Sequence, residues 1–221
     1  MIDNYCERVD ASFWAEPLNA VTNLSFILAA LYCWLISPRA RKADWLNITL
    51  TINLFAIGVG SFLFHTFATR WAGAADTIPI LLFIILYQFS ATWRFVGAPL
   101  WAALISPLVF IGFAIGFLAA WSAVLPSLNG SQGYFPALIL LVTYGLYLGR
   151  RGHKAATAMI AAAALFSLSL TFRSIDHAVC EVIPFGTHFM WHTLNGLLLG
   201  ILLYAFVRHG APRLAPVAAS A

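Results

Sequence analysis

Long apolar runs alternate with short polar punctuation along almost the whole chain. Seven runs are legible, at approximately 17–36, 46–66, 77–95, 99–121, 134–149, 155–172 and 187–207. A helix needs ~20 apolar residues to cross a bilayer, and the runs cluster near that length, the fifth and sixth being shorter. Between them lie SPRARKADW, FATRWAGAAD, RFVGAP, SAVLPSLNGSQG, RRGHK and RSIDHAVCEVIPFG, none of which is long enough for a soluble domain. In lipid each backbone N–H and C=O must be satisfied within its own segment, so the runs read as helices. The pattern predicts an all-α integral membrane bundle of seven transmembrane helices, a single domain over 1–221. It has an extramembrane segment at 1–16 and a tail at 208–221. Pro17, directly after Glu16, suits the first turn of helix 1.

Composition sharpens this picture. The chain is 62% hydrophobic and 9% charged, with a mean hydropathy of +0.86. Soluble domains carry about 25% charged residues, so lipid must cover a surface that charge does not. The net charge of +4 is scattered in short clusters between apolar runs, which is topology information and no nucleic-acid footprint. The first sixteen residues hold Asp3, Glu7, Asp10 and Glu16 and no apolar run, so no cleavable signal peptide is expected.

Seven crossings put the termini on opposite sides. The C-terminal side then holds Arg39, Arg41, Lys42, Arg94, Arg150, Arg151, Lys154, Arg208 and Arg213, against Arg8, Arg70 and Arg173 on the other. This excess predicts a cytoplasmic C-terminus and an outside N-terminus, whether outside is periplasm, cell exterior or organelle lumen. The acids are distributed the other way. Asp3, Glu7, Asp10, Glu16, Asp76, Asp176 and Glu181 fall on the outer face and only Asp44 on the inner. Acidic residues contribute little to orientation, so their bias points to cation binding.

The ionisable residues beside helices gather at the outer end. GSFLFH ends helix 2 and places Ser61 and His65 four apart on one face. Helix 3 is expected to begin just after Asp76. Helix 7 opens THFMWHTLN, which sets His188, His192 and Asn195 along one stripe. Three imidazoles with a carboxylate nearby form the ligand set of a catalytic zinc that keeps its fourth position for water. Such a metal lowers the pKa of its water toward ~7 and polarises a carbonyl. Asp76 is the candidate proton acceptor or tautomer-fixing partner, and Ser61 the candidate donor to a developing oxyanion. His153, His177 and His209 lie in loops or the tail and are expected to be solvated. Cys6 and Cys180 both fall in outer segments, where an oxidising compartment permits a disulfide between them.

These residues resemble the alkaline ceramidases. The opening YCER…AEPLNAVTNLSF is similar to that family's acidic, aromatic and Cys-containing start before an Ala-Glu-x-x-Asn stretch. GSFLFHTF with Asp76 eleven residues after His65, and the terminal GTHFMWH, match its other two motifs in order and spacing. The resemblance implies a seven-helix fold shared with adiponectin-receptor-like hydrolases, zinc on His65, His188 and His192, and Asp76 and Ser61 as catalytic residues. It also implies a calcium ion in the N-terminal segment, with ligands drawn from Asp3 or Asn4, the Tyr5 carbonyl, Glu7, Asp10 and Glu16. Where the family has Asp-Trp-Cys-Glu and then Asn, this chain has Asn4-Tyr5-Cys6-Glu7 and Val9. Oxygen-rich acidic clusters do suit calcium.

The expected activity is therefore zinc-dependent hydrolysis of the N-acyl amide of a ceramide-like membrane lipid, giving a sphingoid base and a fatty acid. A receptor with structural zinc and calcium is the alternative, but structural zinc sites usually include Cys, and none accompanies these His residues. A transporter would need ionisable residues through both membrane halves, and the inner half of every run is nearly bare of them.

Overall fold

The computed structural model describes residues 2–210, and no strand occurs among the described residues. Nine α-helices follow in order: α1 (Pro17–Thr22), α2 (Leu24–Ile36), α3 (Arg39–Lys42), α4 (Trp45–Phe67), α5 (Arg70–Ala91), α6 (Leu100–Val124), α7 (Phe135–Arg150), α8 (Ala156–Ile175) and α9 (His188–His209). A π-turn at Thr92–Val96 extends α5, and 3₁₀ turns at Ser131–Tyr134 and Asp176–Val179 flank α7 and α8. Arg213 and most of the expected tail lie outside the described residues, while Arg208 belongs to the last turn of α9.

Six helices are long and apolar enough to cross a membrane: Pro17–Ile36, Trp45–Phe67, Arg70–Val96, Leu100–Val124, Ala156–Val179 and His188–His209. The chain is a multi-pass membrane protein. Its outward residues are lipid-compatible rather than polar, with Leu35, Ile52, Leu108, Val109 and Ile115 all more than 60% exposed. At 16 residues α7 is shorter. It rises about 24 Å, short of a ~30 Å hydrocarbon core.

The expected start of the third helix is corrected. Helix α5 begins at Arg70, so Asp76 sits well inside it and not before it. Ala68 adopts a left-handed conformation (φ 47°) that ends α4, and Thr69 is extended. Nothing from Arg70 onward then breaks the helix, and Ala72, Ala74 and Ala75 favour it. The long polar loop inferred there shrinks to two residues.

Two glycines let helix backbones touch where the site is built. A Cβ on Gly60 would strike the Ala75 carbonyl of α5, and one on Gly196 would strike Ser25 of α2. The first contact fixes Ser61 and His65 against Asp76. The second, with Ser25 Oγ donating to the His192 carbonyl at 3.0 Å, sets α9 against α2.

At the opposite end of the bundle a second polar cluster is buried. Arg41 pairs with Asp44 and donates to the Phe206 carbonyl at 2.9 Å. Asp44 also accepts from Leu46 N at 3.1 Å, and Arg94 approaches it at 3.6 Å.

Candidate active site

His65 lies in the last turn of α4, and His188 and His192 occupy the first two turns of α9. Each is about 1% exposed. One ring nitrogen from each lies within 4.8 Å of the others, close enough for all three to hold a single ion. The start of α9 is held from a distance. Thr187 makes no side-chain cap; instead Asp176, fully buried, accepts from Thr187 N at 2.6 Å and His188 N at 2.9 Å. Its other oxygen accepts from Cys6 N at 3.0 Å, so one carboxylate aligns both the N-terminal segment and the helix that carries two of the imidazoles.

The rings are oriented by their other nitrogens. His65 Nδ1 lies 2.5 Å from Glu16 Oε2, and His192 Nδ1 lies 3.2 Å from Thr22 Oγ1. Thr22 Oγ1 already donates to the Leu18 carbonyl at 2.7 Å, which leaves it to accept from His192. His65 Nε2 and His188 Nδ1 are buried without a hydrogen-bond partner. Buried polar atoms are normally satisfied, so converging imidazole lone pairs left open are what a metal would fill. The residues present fit such an ion. A carboxylate behind a ligand imidazole is the usual way its tautomer is fixed. Burial alone would raise the Glu16 carboxyl. The hydrogen bond and charge of His65, helped by Asn19 and Arg8, outweigh this and hold it below its ordinary value.

The Tyr5 ring stacks on His188, with centroids 3.5 Å apart and planes at 13°. Its phenol is pushed up chiefly by burial. A cavity of about 440 Å³ opens beside this plate, lined by Tyr5, Arg70, Asp76, Tyr134, Arg173 and His188 among others. Asp76 is half-buried in its wall, outside the group of metal-competent atoms, with Ser61 beside it. Ile80, Tyr134 and Trp191 are shared with a second, apolar cavity that runs between the helices past Phe83, Tyr87, Leu141 and Leu202. A polar chamber thus continues into a greasy one.

The other site candidates are dispersed. Asp3 and Asp10 are exposed, whereas Glu7 and Glu16 are buried and bonded to protein groups. Cys6 and Cys180 are joined in a disulfide, tying the N-terminal segment to the loop before α9. His177 is exposed, but His153 and His209 are half-buried, His153 against Phe95 at 5.1 Å, which corrects the expectation of solvated rings. Sequence reasoning missed Arg173, which bonds Asn129 and Ser131 and lies over Tyr134 and Trp191 in the chamber wall. It also missed Asp176 as an organiser and Thr22 as a partner of His192. An Arg within a membrane helix was the available signal for Arg173.

No curated protein sequence is similar enough to the chain to match it. Residues 3–211 match the family profile described as Ceramidase, which spans all three imidazoles, Asp76 and both cavities. On that near-complete match the chain belongs to the ceramidase family, hydrolases that act on the amide bond of ceramide.

Proposed function

We propose that the protein is a zinc-dependent amidohydrolase that cleaves a ceramide-like N-acyl lipid within the membrane, with His65, His188 and His192 as the zinc ligands. The observation that carries this reading is the set of buried imidazole nitrogens left without partners beside a polar chamber that opens into an apolar one. When bound, the metal supplies Lewis acidity and an activated water, and a three-imidazole donor set suits zinc.

The chain's own residues supply the rest. Asp76 takes the proton of the attacking water and returns it to the departing amine nitrogen, so that water is added across the amide and a fatty acid and a sphingoid base leave. Ser61, beside Asp76, donates its one proton to the carbonyl oxygen as charge develops there. Glu16 keeps the His65 proton on Nδ1. The apolar cavity takes the acyl chain, and Arg173 and Tyr134 border the chamber where the polar headgroup sits.

In this reading α7 makes a seventh crossing. Its N-terminal neighbour Tyr134 packs 4.9 Å from Trp191 at the site end, and beyond its C-terminus His153 packs on Phe95 at the other. The basic residues crowd the end opposite the site, so the active site faces outside and the C-terminus the cytoplasm. Labelling Ser127→Cys and Arg151→Cys variants with a membrane-impermeant reagent tests this: only the first should react in intact cells, and the reverse would invert the topology. The activity itself is tested by incubating purified protein with a panel of N-acyl lipids, with and without a chelator. Chelator-sensitive release of fatty acid is expected; stoichiometric metal without hydrolysis of any amide would overturn the assignment.

A further inference from the structure

The calcium ion implied by family resemblance needs oxygen ligands, six to eight of them in its usual sites. Most of the oxygen donors expected in the N-terminal segment are already bonded within the protein, and Asp3 and Asn4 are exposed. Both Glu7 oxygens accept backbone N–H groups of α1, from Leu18 at 2.7 Å and Asn19 at 2.8 Å. Glu16 Oε1 accepts from Arg8 Nε at 2.5 Å, and its Oε2 is shared between Asn19 Nδ2 at 3.0 Å and His65 Nδ1 at 2.5 Å. Asp10 is exposed and turns its carboxylate to Ser12 N at 2.8 Å. The Tyr5 carbonyl accepts from Arg8 N at 3.3 Å. Among the described residues the only converging group of metal-competent side chains is the three imidazoles.

Arg8 occupies the middle of these acceptors. It is 4% exposed, and each of its three guanidinium nitrogens finds an oxygen: Glu16 Oε1 through Nε, the His65 carbonyl at 2.9 Å through Nη2, and the Asp10 carbonyl at 3.3 Å through Nη1. A guanidinium stays charged at any working pH, and a buried charge persists only when paired in this way. The His65 carbonyl lies in the last turn of α4, where backbone acceptors are unfilled and a cation is favoured.

We propose that Arg8 is a built-in cation that takes the place of calcium in this chain. It neutralises Glu16, gathers the 1–16 segment onto the end of α4, and positions His65 through the Glu16 carboxylate that both residues share. A divalent ion brought to the same acceptors would meet a fixed positive charge already seated on them. The protein therefore assembles its catalytic end without calcium, with Val9 where the family has an Asn oxygen and Arg8 beside it as the cation.

Elemental analysis of the full-length protein, dialysed against calcium-free buffer, should find the imidazole-bound metal and no calcium. Calcium chloride at millimolar concentration should leave its thermal midpoint unchanged. In Arg8→Asn the midpoint should fall, and metal affinity, measured by competition with a chromophoric chelator, should weaken by about 10–100-fold, the usual cost of losing support behind a ligand. Calcium should now raise the midpoint of that variant, and Arg8→Lys should lie between it and the parent. Stoichiometric calcium in the parent, or a saturable calcium-dependent rise in its midpoint, would overturn the proposal. So would an Arg8→Asn protein with the parent's midpoint and metal affinity. If Arg8→Asn does not fold, the calcium content and titration of the parent still decide. None of these readouts depends on which lipid is cleaved.

Discussion

The two ends of the bundle each bury a cluster of charged and polar side chains, and they use burial differently. At the end remote from the imidazoles Arg41, Asp44 and Arg94 crowd together, and Asp44 spends both its oxygens on arginine and on the first turn of α4. What is left over there includes no imidazole: Arg94 Nε and Nη1 and Asn47 Oδ1 have no hydrogen-bond partner, although the guanidinium lies 4.4 Å over Trp93. At the imidazole end Glu7, Glu16 and Asp176 are likewise bonded within the protein, but the atoms left without partners include His65 Nε2 and His188 Nδ1, on rings that each bring a nitrogen within 4.8 Å of the others. Burial and charge are thus common to both ends. The difference lies in the convergence of open lone pairs, and convergence of that kind serves an ion, whereas leftover cationic donors do not.

The largest effect is expected from deleting one lone pair. His188→Ala should lose the metal and all measurable hydrolysis, by elemental analysis and lipid assay, while circular dichroism stays helical. Full metal stoichiometry in each of the three single His variants would erase the distinction between the ends. Asp76→Asn is the next step down. It retains the shape of the carboxylate and leaves the imidazoles alone, so metal should stay bound while turnover falls by roughly 10²–10⁴-fold, the range for loss of a general base. Near-parental turnover would take Asp76 out of the reaction.

The end remote from the imidazoles is tested by Asp44→Ala, which leaves two buried arginines without their shared carboxylate. Breaking a buried pair in this way costs about 3–5 kcal/mol, read as a lower thermal midpoint with metal content intact in the protein that remains folded. If metal occupancy falls in step, the two clusters are coupled and the comparison fails. The smallest effect is expected from Cys6→Ser with Cys180→Ser. A disulfide contributes about 2–4 kcal/mol; here Asp176 still holds Cys6 N and the start of α9, so activity at low temperature should persist.

How much of this was legible depended on how far apart the partners are in the chain. Apolar runs declare membrane helices locally, and the four-residue spacing of His188 and His192 declares a shared face locally. The depth of Asp76 is misjudged from sequence because Arg70, Gly73 and Asp76 interrupt the apolar pattern as a loop would, although Ala68 and Thr69 alone make the turn. The role of Glu16 needs a contact with His65, 49 residues on, and Asp176 meets a residue 170 positions earlier. Neither has any periodic signature. Arg8 was counted as a topology signal, since its sequence neighbours give no hint of the buried acceptors folded around it. Helix α7 is the reverse case: its crossing is supported by what packs at its ends and not by its own length.

The splitting of the three imidazoles between α4 and α9 has a consequence in time. His188 follows His65 by 123 residues, and at about 5–20 residues per second of synthesis the ribosome delivers it roughly 6–25 s later. Until α9 enters the membrane the growing chain holds one imidazole of the site and neither of the other two. A truncated or half-inserted product therefore carries no hydrolase that could attack the lipids around the insertion machinery. Helix α9 acts as the key that arms the enzyme, and only a chain threaded through the bilayer as far as α9 is armed.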